Sequence, residues 1–215
     1  MVFCLDRGGL VGEDGVTHHG LFDLAFMRAI PGMTVTAPMD EHTLRNLMYT
    51  AQRYSGGPFS IRYPRGAGKM VDWHNDMTEQ PIGHGRKLLD GDDVAVLSLG
   101  TIGTNVREAC ERLRNQGINV AHYDMIYLKP IDEDILSEVS QRFKKVITVE
   151  EGVTTGGLGS AVAEWFTAHG INVRLVRMGV DDTFVDQGTV AQLHQLCHLD
   201  AASIEDQVKQ LLNEK

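Results

Sequence analysis

The sequence predicts an α/β protein with two parallel sheets, each flanked by helices. Short apolar runs alternate with helical patterns along the chain, and apolar strands separated by helices are typical of parallel sheets that are covered on both faces. One polar stretch that contains Gly and Pro, residues 67–83, interrupts this alternation. We therefore expect two α/β units, residues 1–66 and 84–215, joined by a linker over residues 67–83.

The first unit is predicted to contain three strands and two helices. Its first strand, Val2–Leu5, is an uninterrupted apolar run that we expect to be buried. Apolar residues at i, i+3, i+4 and i+7 predict an amphipathic helix after Asp40, and Asp40 itself is a suitable N-cap. The other predicted elements are a helix over residues 21–30 and strands over residues 33–37 and 59–63.

The second unit shows a more regular alternation. The continuous apolar run Val94–Leu99 predicts a fully buried strand, and Asp132 is placed as the N-cap of the helix that carries Ile135, Leu136 and Val139. The remaining strands are predicted over residues 120–125, 146–149 and 173–178, and the remaining helices around residues 106–113, 158–166, 190–197 and 204–212.

The composition argues against several classes of partner. The chain has 215 residues and a formal net charge of -9, whereas a nucleic-acid-binding protein needs a basic surface. No apolar stretch approaches the roughly 20 residues that cross a bilayer. We therefore expect neither a nucleic acid nor a membrane as a partner. A phosphorylated small molecule remains compatible with the negative net charge, because a local pair of arginines is enough to bind it.

The segment of residues 6–20 carries the side chains best suited to chemistry. It follows a predicted strand and contains five glycines, and ligands of open α/β sheets collect at the carboxyl ends of strands. Arg7 suits an anion, Asp14 can accept hydrogen bonds from sugar hydroxyls, and His18 can move a proton near neutral pH. The alternative is an ordinary glycine-rich surface loop. No metal is expected at His18 and His19, because no further ligands with suitable spacing accompany them.

A second arginine follows the last strand of the first unit. Arg65 stands between Pro64 and Gly66, and in a parallel sheet it lies at the same edge as residues 6–20. There its guanidinium group can donate two hydrogen bonds to a phosphate. The alternative is an exposed arginine in front of a linker.

A third candidate segment, residues 150–160, begins with Glu150, Glu151 and Gly152. It continues into a glycine-rich turn over residues 154–160 that opens a predicted helix of the second unit. Such a turn can bind an anion. Neither the dinucleotide-binding spacing nor the lysine of a phosphate loop is present, however. We therefore favour a packing role, in which the glycines allow the helix to approach the sheet closely.

Ordered motifs extend over nearly the whole chain. They are DRGGLVGEDGVTHHGLFDLAFMRAIPGMTV, APMDEHTLRNLMYTA and GPFSIRYPRG, followed by VAVLSLGT, YDMIYLKPID, VITVEEGVTTGGLGSAVAE and DTFVDQGT. With these motifs the chain resembles the 1-deoxy-D-xylulose-5-phosphate synthases, which have a transketolase-like architecture. The resemblance implies an incomplete thiamine-pyrimidine-binding domain over residues 1–66 and a transketolase C-terminal domain over residues 84–215.

The resemblance also implies an activity. Members of this family are thiamine-diphosphate-dependent transferases that condense pyruvate with glyceraldehyde 3-phosphate and release CO2, which supplies isoprenoid, thiamine and pyridoxal synthesis. By motif, Arg7 and Arg65 look like binders of the acceptor's phosphate, and Asp14 and His18 look like groups at its hydroxyl and carbonyl ends. Gly8 stands where alanine is common in the family, a small change that we expect to leave the backbone path intact. A homodimer through the C-terminal domain and a cytoplasmic location, bacterial or alternatively plastid, are implied as well.

Part of the family's machinery has no counterpart in this sequence. Thiamine diphosphate and Mg2+ are implied for the complete enzyme, but the family's Gly-Asp-Gly motif is absent, and its activating glutamate lies upstream of the position that matches Met1. We therefore expect a C-terminal fragment without cofactor-binding or metal-binding residues, inactive on its own. Two alternatives stay open: a non-catalytic transketolase-like binding or dimerisation module, and a protein similar to the β-subunit of 2-oxoacid dehydrogenases. The paired arginines favour the synthase.

Overall fold

A computed structural model describes residues 1–68, 72 and 74–214 of the chain. The strands in chain order are β1 (Val2–Leu5), β2 (Thr34–Thr36), β3 (Phe59–Arg62), β4 (Arg86–Leu89), β5 (Val94–Leu99), β6 (Val120–Asp124), β7 (Tyr127–Lys129), β8 (Lys145–Val153) and β9 (Arg174–Val180). The α-helices are α1 (Asp23–Ala29), α2 (Glu41–Arg53), α3 (Gly103–Arg114), α4 (Glu133–Arg142), α5 (Leu158–Ala168), α6 (Val190–Leu196) and α7 (Ala201–Asn213). None of the helices in these ranges is both long and apolar enough to span a membrane.

The first sheet has the strand order β1-β3-β2-β7. Both β1 and β2 pair with β3 in parallel, so the carboxyl ends of these three strands lie at one edge. The fourth strand, β7, pairs with β2 in the antiparallel direction. Because β7 comes from the sequence of the second predicted unit, residues from both parts of the chain build this sheet.

The second sheet has the strand order β4-β6-β5-β8-β9. Its strands β6, β5, β8 and β9 are parallel, as predicted, whereas β4 runs antiparallel to β6. The expectation of purely parallel sheets is therefore wrong for β4 and β7. Each lies at the edge of its sheet, where an antiparallel strand pairs on one side only and needs no crossover helix, so the strand–helix pattern of the sequence contains no sign of it.

The two sheets share one of the hydrophobic cores. All six residues of β5 are buried, and successive side chains point to opposite faces of the sheet. Val96 belongs to a cluster with residues of α3 and α7. Leu97 belongs to a second cluster, which also contains Leu24 of α1 and Val35 of β2. The first sheet is thus fixed to the second by buried side chains as well as by the chain between them.

The two predicted helix caps are confirmed. Asp40 accepts a hydrogen bond from the backbone N–H of Thr43 at 2.8 Å, at the start of α2. Asp132 accepts one from the N–H of Ile135 at 2.9 Å, at the start of α4. Such caps satisfy backbone donors that the first helical turn leaves free.

The first strand is less buried than predicted. β1 lies at the edge of its sheet, with Val2 41% exposed and Cys4 exposed, while Phe3 and Leu5 are partly buried. In a strand, alternate side chains point to opposite faces, and here one of those faces is open. An entirely apolar run does not reveal this difference between its two faces.

The predicted linker packs against α2 in its described part. The backbone N–H of Gln80 donates to the hydroxyl of Thr50 at 2.7 Å, and the N–H of Thr78 donates to the side chain of Asn46 at 3.2 Å. Residues 69–71 and 73 of the predicted linker lie outside the described residues. From residue 74 to residue 83 the chain forms neither helix nor strand. Its position is fixed by these contacts with α2 and by a hydrogen bond from the Tyr127 hydroxyl of β7 to the carbonyl of Gln80 at 3.2 Å.

Candidate active site

The segment of residues 6–20, called here the glycine-rich loop, leaves β1 and returns at its base. The N–H of Gly9 donates to the carbonyl of Gly20 at 2.8 Å, and the N–H of Gly20 donates to the carbonyl of Gly9 at 2.9 Å. A short 3-10 helix, Gly12–Asp14, lies within the loop. The reciprocal bonds close the loop, so the side chains that it carries project from a fixed base at the carboxyl end of the first sheet.

The structure brings three of the four predicted site residues together. One oxygen of the Asp14 carboxylate, Oδ2, accepts hydrogen bonds from Nη1 of Arg7 and from Nη1 of Arg65. Arg7 has a left-handed backbone with φ 60°, a conformation that costs a non-glycine residue roughly 1–2 kcal/mol. The two guanidinium groups come from different strand ends and still converge on one acidic atom.

The charge of Asp14 is set by these two neighbours. Partial desolvation opposes its ionisation, but the positive charges and hydrogen bonds of Arg65 and Arg7 outweigh this and lower the pKa of its carboxyl below the ordinary value of 3.8. A lowered carboxyl pKa means that the ion pairs contribute to stability above pH 3.8. This contribution is lost as the pH falls through the lowered pKa.

His18, the fourth predicted residue, stands apart from this cluster. Its imidazole is exposed, and its Nδ1 lies 2.9 Å from the hydroxyl of Thr17. In the described part of the chain it makes no hydrogen bond to Arg7, Asp14 or Arg65. The loop thus presents a clustered group of charges and, separately, a solvent-accessible imidazole.

The neighbouring His19 has a different environment. It is 8% exposed, and its Nδ1 accepts a hydrogen bond from the N–H of Val11 at 3.1 Å. This bond links the two sides of the glycine-rich loop. His18 and His19 therefore do not act as a pair.

A buried arginine that the sequence analysis did not single out supports the loop from below. Arg62, at the end of β3, is 5% exposed. Its Nε donates to the Asp23 carboxylate at 3.0 Å and its Nη2 to the carbonyl of Gly20 at 2.8 Å. Nη2 also donates to the carbonyl of Glu151. Arg62 thus joins the loop to α1 and to β8.

Gly8 is more constrained than the sequence analysis supposed. A Cβ atom added at Gly8 would lie 2.6 Å from Nε and 2.8 Å from Cδ of Arg62. Arg62 is buried and held by its hydrogen bonds, so it cannot move aside freely. The backbone path alone would tolerate alanine, but the side chain beneath it would have to shift.

The glycine-rich turn of residues 154–160 has a packing role, as we favoured. Glu150 places its carboxylate at the start of α5, where it accepts hydrogen bonds from the N–H groups of Leu158 and Gly159, both at 2.8 Å. A Cβ at Gly157 would lie 1.9 Å from the same carboxylate. An internal anion therefore occupies the position at which an external one would bind.

A cavity of about 420 Å3 adjoins the charged cluster at Arg65. It lies where the two parts of the chain meet, with Leu10 and Tyr63 on one side and Asn105, Glu151 and His194 on the other. His194 is not among the residues that the sequence marks, and Glu151 appears there only within the segment of residues 150–160, for which we favour a packing role. Glu151 contacts Leu10 across 141 residues of sequence and His194 contacts Glu151 across 43, so no local pattern marks these contacts.

The residues present do not fit a thiamine diphosphate site with its Mg2+ ion. The sequence contains no Gly-Asp-Gly motif. Across the described ranges, the side chains that could hold a metal ion together are His84, Asp132 and Asp134, whose ligand atoms lie within 4.8 Å of one another. Asp132 is already the N-cap of α4 and also accepts from the N–H of Gly85 at 2.7 Å. These groups do not form a diphosphate-binding set.

Comparison with known proteins identifies two domain families in the chain. Residues 1–70 match the model of the transketolase pyrimidine-binding domain, and residues 83–204 match that of the transketolase C-terminal domain. Curated relatives include 1-deoxy-D-xylulose-5-phosphate synthases from Parabacteroides distasonis, with 54% identity over 97% of this chain, and from Bacteroides thetaiotaomicron, with 51% identity over 100%. The chain spans 33% of the length of each of these relatives.

Solved structures show the same fold. A protein described as a split-gene transketolase in an inactive β4 tetramer has a TM-score of 0.85 and 31% identity, with 98% of this chain and 66% of the other covered. Transketolase from Campylobacter jejuni has a TM-score of 0.74 at 17% identity, with 97% of this chain and 31% of the other covered. At that lower identity the likeness concerns the fold alone.

Proposed function

We propose that this chain, which belongs to the transketolase family, forms the acceptor-binding part of a 1-deoxy-D-xylulose-5-phosphate synthase. In this role the chain binds glyceraldehyde 3-phosphate, the acceptor that the complete enzyme condenses with pyruvate in a reaction that releases CO2. The identity of 54% to a synthase supports the assignment. Because the chain spans 33% of that relative, the rest of the active site has to come from another part of the assembled enzyme.

One observation carries this proposal: Arg7 and Arg65 converge on a single carboxylate oxygen of Asp14. Two guanidinium groups so close together suit a phosphate dianion, which accepts several charge-assisted hydrogen bonds. An arriving phosphate competes with Asp14 for both arginines. Asp14 is then free to accept a hydrogen bond from the hydroxyl group of the same substrate, which orients the aldehyde.

His18 is proposed to act at the other end of the substrate. The oxygen of the aldehyde becomes an alkoxide as the new carbon–carbon bond forms, and it needs a proton. An imidazole exposed to the solvent can supply one near neutral pH, and such proton transfer typically accelerates a reaction by about 10²- to 10⁴-fold.

The cofactors, assembly and location are proposed from the relatives. Thiamine diphosphate with Mg2+ would supply the nucleophile derived from pyruvate, bound by residues outside this chain. We therefore expect the chain alone to be inactive. Self-association, with a homodimer through the C-terminal domain as the predicted form, is supported by a structural relative that is described as a tetramer. We propose a bacterial cytoplasmic location, and the bacterial origin of these relatives supports the bacterial part of this proposal.

A non-catalytic module is the second candidate. The structural relative described as an inactive β4 tetramer favours it, since that protein forms an assembly without activity. A protein similar to the β-subunit of 2-oxoacid dehydrogenases is less well supported, because the curated relatives at about 50% identity are named synthases.

Reconstitution tests the proposal. The chain is mixed with a separately expressed N-terminal part of a related synthase, with pyruvate, glyceraldehyde 3-phosphate, thiamine diphosphate and Mg2+, and the product is measured. We expect activity that falls about 10²- to 10⁴-fold in His18→Ala, whereas His169→Ala, also at an exposed histidine, has no effect. Absence of product, with both parts shown to be folded, would favour the non-catalytic module.

A further inference from the structure

Glu151, near the end of β8, is a buried acid that contacts the glycine-rich loop directly. Its side chain is 6% exposed. Its Oε1 accepts a hydrogen bond from the backbone N–H of Leu10 at 2.7 Å, across 141 residues of sequence. Leu10 lies in the loop between Arg7 and Asp14. The contact therefore connects the second sheet to the segment that carries three of the four proposed site residues, Arg7, Asp14 and His18.

The shape of the loop depends on this carboxylate. Gly9 has φ +81°, and a Cβ added there would lie 2.4 Å from the Glu151 carboxyl carbon. The backbone at Gly9 and Leu10 thus packs directly against the Glu151 carboxylate. Glu150, the preceding residue, points to the opposite side of the strand and caps α5. The two adjacent glutamates therefore have separate tasks.

His194 of α6 fixes the Glu151 carboxylate. Its Nε2 lies 3.1 Å from the same Oε1, and its Nδ1 lies 3.3 Å from Nδ2 of Asn105. Nδ2 of Asn105 also donates to the carbonyl of Leu199 at 2.9 Å. Because an amide nitrogen only donates, Nδ1 of His194 is the acceptor, and the Nε2–H group of His194 donates a hydrogen bond to Oε1 of Glu151.

We propose that Glu151 is a positioning residue for the acceptor substrate, held by His194 and acting through the N–H of Leu10. This inference rests on the proposed function of the glycine-rich loop. Glu151 itself touches neither Arg7 nor Asp14. By fixing the backbone between them, it keeps the two side chains at the distance that binding of a phosphorylated aldehyde requires. The second sheet then contributes to acceptor binding through a carboxylate that holds the loop.

Amide hydrogen exchange on the intact chain tests the contact without any need for activity. In Glu151→Gln, a neutral amide replaces the carboxylate, and charge-assisted hydrogen bonds are roughly twice as strong as neutral ones. We expect exchange at the Leu10 amide to become about tenfold faster in Glu151→Gln and about threefold faster in His194→Ala. The matched control, Glu150→Gln, should leave Leu10 unchanged and instead affect the amides of Leu158 and Gly159.

Kinetics of the reconstituted enzyme separate positioning from a structural role. We expect Glu151→Gln to raise the KM for glyceraldehyde 3-phosphate about three- to tenfold and to leave the KM for pyruvate unchanged. Unchanged exchange at Leu10, a uniform increase across the whole chain, or an unchanged KM for the aldehyde would each overturn the inference. An inactive wild-type mixture would instead contradict the proposed function, while the exchange data would still decide whether Glu151 holds the loop.

Discussion

The inner strands and the edge strands of the two sheets differ in burial. Every residue of the inner strands β2, β3, β5 and β6 is buried. The edge strands β1, β4 and β9 are each partly exposed. Arg7 of the charged cluster follows the edge strand β1, and Arg65 follows the inner strand β3.

Two arginines at the carboxyl end of β3 show how burial changes the role of a charged side chain. Arg62 is buried and satisfies the Asp23 carboxylate and the carbonyl oxygens of Gly20 and Glu151. Arg65, three residues later, has a side chain that is 53% exposed and pairs with Asp14. A buried charge, such as that of Arg62, stabilises the fold. An exposed charge, such as that of Arg65, is accessible to a ligand.

The largest expected effect separates these two arginines. Arg62→Ala removes the charged partner of the Asp23 carboxylate, which is 12% exposed, and one donor each to the carbonyl oxygens of Gly20 and Glu151. Removal of one partner of a buried ion pair costs about 3–5 kcal/mol. Arg65→Ala removes a half-exposed ion pair, which is worth about 0–1 kcal/mol. Chemical denaturation of both variants measures the difference in the free energy of unfolding. Equal losses would show that the two positions do not differ as the structure indicates.

A matched pair of valines sharpens the comparison between inner and edge strands. Val96 in β5 is fully buried, whereas Val2 in β1 is 41% exposed. Val96→Ala removes two buried carbons at about 0.8 kcal/mol each and leaves a cavity, for a total of about 2–3 kcal/mol. Val2→Ala should cost less than about 1 kcal/mol. If the two variants unfold at the same denaturant concentration, β1 is covered in solution by something that this structure does not contain, such as a second copy of the chain.

A smaller loss of stability than that of Val96→Ala is expected at Gly8. Alanine there places its Cβ within 2.6 Å of the buried Arg62 side chain. We expect a loss of about 1 kcal/mol, at the lower end of the usual cost of overpacking because one methyl group is added. The melting temperature measures it. A gain in stability would mean that Arg62 has room to shift.

Much of the fold could be predicted because local patterns encode it. The apolar run of β5 and the capping residues Asp40 and Asp132 depend on neighbours in sequence, and all three were predicted correctly. The strands β4 and β7 were missed, since short edge strands are defined by the strand with which they pair. For β7 that partner is β2, whose residue Val35 pairs with Lys129.

The site residues, like the elements of the fold, divide into those that the sequence predicted and those that it did not. The convergence of Arg7, Asp14 and Arg65 follows from one rule, that the carboxyl ends of parallel strands meet at one edge of a sheet. The roles of Arg62, Glu151 and His194 were not predicted, because their contacts reach residues far away in sequence. Glu151 was marked only as part of the segment of residues 150–160, for which a packing role was favoured. A sequence pattern can indicate which residues meet a ligand, but it does not indicate which residues hold them in place.

The most direct test of the acceptor site compares two substrates in the reconstituted enzyme. The ratio of kcat/KM for glyceraldehyde 3-phosphate to that for unphosphorylated glyceraldehyde reports on recognition of the phosphate. We expect Arg65→Ala and Arg7→Ala each to lower this ratio about ten- to hundredfold, as expected for the loss of a charged hydrogen bond. Arg174→Ala, which also removes an exposed arginine paired with a carboxylate, should leave it unchanged. An unchanged ratio in Arg65→Ala and Arg7→Ala would contradict the assignment of this cluster as the phosphate site.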